Sequence, residues 1–119
     1  MKRILLVEDD PLLIEIYQTK LKASGYEVHI AQDGEKAIRA LQQETPDVMI
    51  LDLVLPRKDG WEVLEAIRGA GARPKILVLS NLGQKEEIKR AMELGVDKYL
   101  IKAHFTPSQV VEELETLFS

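Results

Sequence analysis

The sequence predicts an α/β protein of the doubly wound class, in which helices cover both faces of a parallel sheet. Five strand-like runs recur along the 119 residues, and a helical pattern of apolar residues follows each run. Three runs are apolar throughout, as strands buried on both faces are, and these are Ile4–Val7, Val48–Leu51 and Ile76–Leu79. Strands that alternate with helices form βαβ units with right-handed crossovers, and such units build a parallel sheet.

The first half of the chain contains two of the helices and an edge strand. Asp10 caps the first helix, Pro11 occupies its first position, and the helix ends near Gly25. Its apolar face consists of Leu13, Ile16, Tyr17 and Leu21. The run Glu27–Ala31 alternates polar and apolar residues, which indicates a less buried strand at a sheet edge. Asp33 begins the second helix.

Three helices and one strand complete the pattern in the second half. Asp59 begins the third helix, and Glu62 follows it at the spacing of a capping box. The fourth helix ends at Gly95, and the run Lys98–Lys102 is a fifth strand that is apolar in the middle. The last helix begins with a capping box at Thr106. Three central apolar strands and one alternating edge fit the five-stranded flavodoxin-like order 2-1-3-4-5, with five helices.

Polar side chains follow four of the strands directly. Glu8 and Asp9 come after the first strand, Asp52 after the third and Ser80 after the fourth, and Lys102 ends the fifth. In open parallel sheets, ligands bind outside the carboxyl ends of the strands. We therefore expect these carboxylates, the hydroxyl and the ammonium group to meet at one edge of the sheet.

This collection of side chains suits a divalent cation and phosphoryl chemistry. Crowded carboxylates repel one another, and Mg²⁺, which prefers oxygen ligands, relieves that repulsion. Asp9 and Asp52 are the predicted direct ligands, Glu8 acts through water or as an outer partner, and a backbone carbonyl just past Asp52 supplies a further oxygen. A carboxylate is also a nucleophile that forms an acyl phosphate, with Lys102 and Ser80 available to the phosphoryl oxygens.

Composition and charge exclude several classes of protein. Because the chain has no cysteine, it has no disulfide, thiolate metal site or thiol nucleophile. The net charge of -4 argues against a basic face that grips nucleic acid. The apolar run near the N-terminus is too short for a signal peptide or a membrane span. We expect a single domain over residues 1–119, with no effector domain, in the cytoplasm.

Four segments resemble a known family in order and in spacing. They are ILLVEDDP at the first strand, DVMILDLVLPRKDGWEVL around Asp52, ILVLS ending at Ser80 and GVDKYLIK ending at Lys102. Pro56 and Gly60 match the loop that follows the central aspartate in that family. Over nearly its whole length, the chain resembles the receiver domain of response regulators in two-component signalling.

The resemblance implies a phosphorylation-operated switch rather than an enzyme that turns over outside substrates. It implies Asp52 as the phospho-acceptor, Glu8 and Asp9 as the acidic pair, the Val54 carbonyl as a further Mg²⁺ ligand, and Lys102 as the lysine that binds the phosphoryl group. The implied phosphoryl donor is a histidine kinase or a histidine phosphotransfer protein. The implied output is contact with a downstream protein, with no direct role for nucleic acid or a membrane.

The resemblance also implies how the switch operates. Ser80 is the hydroxyl that moves toward the phosphoryl group, and Tyr99 is the aromatic residue that turns inward when this happens. The face formed by the fourth helix, the fifth strand and the fifth helix then changes shape. Lys98 replaces an acidic residue of the family's dimerising DNA-binding branch, which favours a monomer or a weak dimer.

Three departures from the family pattern keep a second reading open. Ala103 stands where the family has a proline after a cis peptide, and a cis bond there costs about 3 kcal/mol. Asn81 is larger than the usual residue beside the switch hydroxyl. Val54 and Leu82 are apolar at the positions that tune hydrolysis, which predicts slow self-dephosphorylation. The alternative is a pseudo-receiver, a binding module of this fold that works without phosphorylation; a phosphatase is disfavoured because Val54 replaces its second aspartate.

Overall fold

The computed structural model describes residues 1–69, 71 and 73–118. Its five strands are all parallel and lie in the order β2-β1-β3-β4-β5, so the predicted architecture is confirmed. The strands are β1 (Arg3–Val7), β2 (Glu27–Ala31), β3 (Val48–Leu51), β4 (Lys75–Ser80) and β5 (Lys98–Ile101). The alternating strand β2 is at one edge of the sheet, as expected, and β5 is at the other.

Five α-helices connect and follow these strands. They are α1 (Pro11–Ala23), α2 (Gly34–Gln43), α3 (Gly60–Ile67), α4 (Lys85–Glu93) and α5 (Pro107–Glu115). Two short 3₁₀ helices, Lys102–His104 and Thr116–Phe118, flank the last of them. Among the described residues, none of these helices is both long enough and apolar enough to cross a bilayer.

The predicted caps begin the helices where the sequence places them. The side chain of Asp10 accepts hydrogen bonds from the first turn of α1, and Asp33 accepts one from the first turn of α2. Asp59 and Thr106 each form a reciprocal capping box, at α3 and α5. Because all four helices begin at the carboxyl edge of the sheet, their caps fix the short loops that surround the predicted site.

The sheet separates two apolar layers, because successive side chains of a strand point to opposite faces. In β1, Leu5 and Val7 pack toward α2, α3 and α4, whereas Ile4 and Leu6 pack toward α1 and α5. The central strand β3 divides in the same way and is buried at every position. Burial on both faces makes β1, β3 and β4 a rigid base for the residues at their ends.

The ends of β4 and β5 differ by one residue from the sequence prediction. Strand β5 ends at Ile101, so Lys102 is the first residue of a 3₁₀ turn rather than the last residue of the strand. Ser80 is the last residue of β4 rather than the first residue of the loop. The peptide bond between Lys102 and Ala103 is trans.

Candidate functional site

The register of the parallel strands brings the predicted site residues to one level. Val7 at the end of β1 pairs with Leu51 at the end of β3. The amide of Asp52 donates to the carbonyl of Val7 at 3.1 Å, and the amide of Glu8 donates to the carbonyl of Ala31 at 3.1 Å. The two acidic residues therefore continue the hydrogen-bond ladder one step beyond the strands, and their side chains emerge side by side.

Three carboxylates gather at this edge. One carboxylate oxygen each from Glu8, Asp9 and Asp52 lies within 4.8 Å of the others. Glu8 is 3% exposed and Asp52 is 7% exposed, whereas Asp9 is open to solvent. The cluster, called the acidic pocket below, therefore has two buried carboxylates at its base and one exposed carboxylate at its rim.

Lys102 is the ammonium group that joins the two buried carboxylates. Its Nζ lies 2.7 Å from Oδ2 of Asp52 and 2.7 Å from Oε1 of Glu8. Burial lowers the pKa of Lys102, but the hydrogen bonds and ion pairs with Asp52 and Glu8 outweigh burial, so the pKa is raised above 10.5. The side chain remains an ammonium group at neutral pH and balances one of the three carboxylate charges.

Glu8 has both of its oxygens engaged. Oε1 accepts from Lys102, and Oε2 accepts the backbone amides of Asp9 and Asp10 at 3.0 and 3.1 Å. Burial nevertheless raises the pKa of Glu8, with the charge of Asp52 adding to the increase against the opposing effect of Lys102. The side chain thus fixes the turn between β1 and α1.

Asp52 is held by the loop that follows it. Its Oδ1 accepts the amide of Val54 at 3.1 Å, and Oδ2 contacts Lys102. The amide of Gly60 donates to the carbonyl of Leu53 at 2.9 Å, and a Cβ at Gly60 would lie 2.6 Å from the carbonyl oxygen of Asp52. Only glycine allows α3 to begin this close to the end of β3, so the loop folds back against the site.

Ser80 and Tyr99 are connected through one residue of the loop between β4 and α4. The Ser80 hydroxyl, fully buried, accepts the amide of Leu82 at 3.3 Å, and the Tyr99 hydroxyl donates to the carbonyl of Leu82 at 2.5 Å. Burial, with the charges of Glu87 and Asp52, raises the pKa of Tyr99 to about 12. Tyr99 is thus half-buried against the loop and lies beside the acidic cluster without contributing a ligand to it.

The structure also contains a close contact between the loop after β3 and the start of α2, which the sequence did not predict. The loop between β3 and α3 passes over the start of α2, where a Cβ at Gly34 would lie 1.8 Å from the carbonyl oxygen of Lys58. At the adjacent position Arg57 adopts a φ of 62°, and its guanidinium group contacts the buried carboxylate of Asp33 at 3.4 Å. Asp33 was identified from its capping position alone; the glycine that follows it was the available signal for a close approach.

The donor set fits a hard divalent cation. All three carboxylates offer oxygen, the atom that Mg²⁺ and Mn²⁺ prefer, and Lys102 leaves two of their three negative charges unbalanced. The backbone amide of Val54 donates to Asp52, so the backbone of Val54 adjoins the carboxylate cluster. Glu8, Asp9, Asp52 and Val54, all predicted as the metal site, are therefore neighbours in space.

Comparison with known proteins places this chain in one family. The model of the response regulator receiver domain matches residues 4–115. The alkaline phosphatase synthesis transcriptional regulatory protein PhoP of Bacillus subtilis is 37% identical over 109 residues, which are 92% of this chain and 45% of that protein. The response regulator MprA of Mycobacterium tuberculosis is 38% identical over 100 residues, 84% of this chain and 44% of that protein.

A solved structure agrees with these relatives. The BeF3-activated N-terminal receiver domain of Klebsiella pneumoniae RstA superposes with a TM-score of 0.85 at 27% identity, covering 96% of each chain. The chain spans about half the length of the curated relatives that it matches. Since the family model covers almost all of the chain, and the strand order and the helices agree with it, the chain belongs to the family of response regulator receiver domains.

Proposed function

We propose that this receiver domain is switched by phosphorylation of Asp52 in a Mg²⁺-dependent reaction. The observation that carries the proposal is the position of the Lys102 ammonium group, 2.7 Å from both Asp52 and Glu8 at the base of the acidic pocket. An ammonium group in that place can pair with a phosphoryl oxygen on Asp52. The phosphoryl donor is a histidine kinase or a histidine phosphotransfer protein, as the family implies.

Asp52 is the nucleophile in the proposed transfer. A carboxylate oxygen attacks phosphorus, a new O–P bond forms, and the P–N bond to the donor's histidine breaks with its electron pair remaining on nitrogen. Two contacts restrain the carboxylate, through the amide of Val54 and through Lys102, so little reorientation is needed. The reaction therefore depends on positioning and on charge neutralisation rather than on a protein base.

The proposed cation site consists of Glu8, Asp9, Asp52 and the carbonyl of Val54. Mg²⁺ supplies Lewis acidity there, neutralising the carboxylates and the charge of a phosphoryl group. The residues of the chain do the rest. Asp9, exposed at the rim, is free to bind directly, whereas Glu8, with both oxygens engaged, orients the turn that carries Asp9.

The proposed output is a change in the face formed by α4, β5 and α5. When Ser80 turns toward the phosphoryl group, its hydroxyl leaves the amide of Leu82, and the loop that Tyr99 also holds is free to move. The altered face then binds a downstream protein target in the cytoplasm. The domain acts as a regulator, with autophosphorylation and slow self-dephosphorylation as its only chemistry, because Val54 and Leu82 are unable to orient an attacking water.

The test is the fluorescence of Trp61, titrated first with Mg²⁺ and then with beryllofluoride, a mimic of the phosphoryl group. Trp61 is half-buried in the first turn of α3, near the loop that carries Asp52. We expect saturable, Mg²⁺-dependent binding of beryllofluoride in the native chain and none in Asp52→Asn. The matched control is Asp47→Asn, which changes an aspartate at the opposite edge of the sheet and leaves saturation intact.

A second probe is needed in case the fluorescence of Trp61 does not respond to binding. Isothermal titration calorimetry measures the same binding without depending on Trp61. If Mg²⁺ binds and beryllofluoride produces neither a heat nor a fluorescence change, the proposal is wrong and the pseudo-receiver becomes the better account. Saturation that persists in Asp52→Asn would also contradict it, because the mimic would then be held by residues other than the proposed acceptor.

A further inference from the structure

A cation–π stack joins α3 to α4. The guanidinium carbon of Arg90 lies 4.2 Å from the centre of the Trp61 ring. Trp61 is in the first turn of α3, and Arg90 is in the second half of α4. Such a stack stabilises the arrangement of the two helices that allows it, and its energy at an exposed site is modest.

Of the two helices, α3 is the fixed partner. Its residues Val63 and Leu64 are completely buried, and Ile67 is 7% exposed. Its first residue, Gly60, lies so close to Leu53 that a side chain would not fit there. The capping box at its start adds a further restraint. Displacing α3 would disrupt the core, so Trp61 remains where it is when the switch operates.

In contrast, α4 is weakly anchored. Of its nine residues, only Ala91 is buried, and the larger apolar residue Met92 is 48% exposed. The loop that leads into α4 depends on Ser80, whose hydroxyl accepts the amide of Leu82. A movement of Ser80 therefore moves the start of α4, because few buried contacts hold the helix in place.

We propose that the stack of Arg90 on Trp61 is a latch that holds α4 against α3 in the unphosphorylated state. This inference rests on the proposed function, since it requires that Ser80 and the loop into α4 move when Asp52 holds a phosphoryl group. A contact that exists in one state only biases the equilibrium toward that state. The latch therefore lowers the apparent affinity of Asp52 for a phosphoryl group, and breaking it raises that affinity.

The expected size of the effect follows from the energy of the stack. A bias of this size corresponds to about a two- to five-fold change in the concentration of beryllofluoride that half-saturates the domain. The direction of the change in beryllofluoride affinity distinguishes the latch from a simple electrostatic effect. Removing a positive charge weakens the attraction for an anionic mimic, whereas opening the latch strengthens binding.

The experiment measures half-saturation by beryllofluoride at saturating Mg²⁺ with calorimetry, since Trp61 belongs to the latch. We expect Arg90→Ala to lower the half-saturating concentration about two- to five-fold. Arg90→Lys, which keeps the charge and part of the stack, should lie between the native chain and Arg90→Ala. The matched control is Lys89→Ala, which removes an exposed neighbouring cation from the same helix and should leave the value unchanged or raise it.

A double-mutant cycle identifies the partner. If the two residues act together, Trp61→Leu shifts the half-saturating concentration in the same direction, and adding Arg90→Ala produces no further shift. Melting temperatures of every variant separate a loss of stability from a shift in the switch. A structural stack alone lowers the melting temperature and leaves half-saturation unchanged.

The outcomes separate this inference from the proposed function. If the native chain saturates with beryllofluoride while Arg90→Ala matches Lys89→Ala or binds more weakly, the latch is wrong and the phospho-switch stands. If the native chain binds no beryllofluoride by calorimetry, the proposed function is wrong and the latch is rejected with it.

Discussion

The two edges of the sheet use carboxylates in opposite ways. At the amino ends of the strands, Asp47 accepts the amide of Arg3 at 2.7 Å, and Asp97 accepts the amide of Ile76 at 2.8 Å. In return, the backbone amide of Asp47 donates to the carbonyl of Arg3, and the backbone amide of Asp97 donates to the carbonyl of Ile76. At the carboxyl ends, three carboxylates meet within 4.8 Å, and the ammonium group of Lys102 contacts two of them.

The difference lies in the groups that surround each carboxylate rather than in the residue type. At the amino edge, one carboxylate satisfies one backbone donor, and this arrangement stabilises the start of a strand. At the carboxyl edge, like charges are gathered although they repel one another, which costs stability and creates an affinity for cations. Loss of a carboxylate at the amino edge should therefore lower stability and leave cation binding unchanged, whereas loss of an exposed carboxylate at the carboxyl edge should weaken cation binding with little effect on stability.

The largest effect on folding should come from Lys102→Met. This change removes the ammonium group between Asp52 and Glu8 and leaves two buried carboxylates unbalanced. We expect the free energy of unfolding in metal-free buffer to fall by about 3 kcal/mol, measured by urea denaturation. The matched control is Lys98→Met, which breaks a more exposed ion pair with Glu113 and should cost about 1 kcal/mol or less.

The pH dependence of this difference checks its origin. The pKa of Lys102 is raised in the folded chain above its ordinary value of 10.5, so its stabilising effect is complete below that pH. It is lost as the pH rises through the raised pKa. The difference in unfolding free energy between the native chain and Lys102→Met should therefore shrink above pH 10.5; a difference that stays constant would mean that charge is not its cause.

A smaller effect is expected from Asp97→Ala at the amino edge. The substitution leaves the buried amide of Ile76 without its side-chain acceptor, which should lower the free energy of unfolding by about 1–2 kcal/mol. Half-saturation by Mg²⁺ and by beryllofluoride should not change. Asp97→Asn retains an acceptor oxygen and should lose less; altered Mg²⁺ binding in either variant would show that the two edges are coupled.

The smallest effect on folding, with a large effect on binding, is expected from Asp9→Asn. Asp9 is exposed, and its removal relieves repulsion within the cluster, so the unfolding free energy should change by less than about 0.5 kcal/mol. Mg²⁺ affinity should fall at least about ten-fold in a calorimetric titration, because a cation ligand is lost. A substantial loss of stability without a loss of Mg²⁺ affinity would make Asp9 a structural residue like Asp97.

Much of the fold could be predicted because local and global preferences agree. Apolar runs defined the buried strands, and caps such as Asp10 and Thr106 marked the helix starts, since both depend on residues close together in sequence. The convergence of Glu8, Asp52 and Lys102 also followed from the sequence, because each directly follows a strand of a parallel sheet. The matched segments then assigned the family.

Other features depend on residues far apart in sequence that only packing brings together. The approach of Lys58 to Gly34 and the stack of Arg90 on Trp61 arise from how loops and helices lie on the sheet. The same is true of the Tyr99 hydroxyl, whose partner is a backbone carbonyl rather than a side chain. No local pattern specifies such contacts.

The sequence by itself determined the strand order, the helix starts and the membership of the acidic pocket, since hydrophobic period and strand ends are read along the chain. Only the tertiary structure decided which carboxylate oxygens Lys102 contacts, which glycines lie too close to a neighbouring backbone for a side chain, and which helix has few buried contacts. The physical reason is that charge and position in the chain are properties of single residues. Distance, burial and freedom to move are properties of the packed assembly, and they decide how an acidic pocket can become a switch.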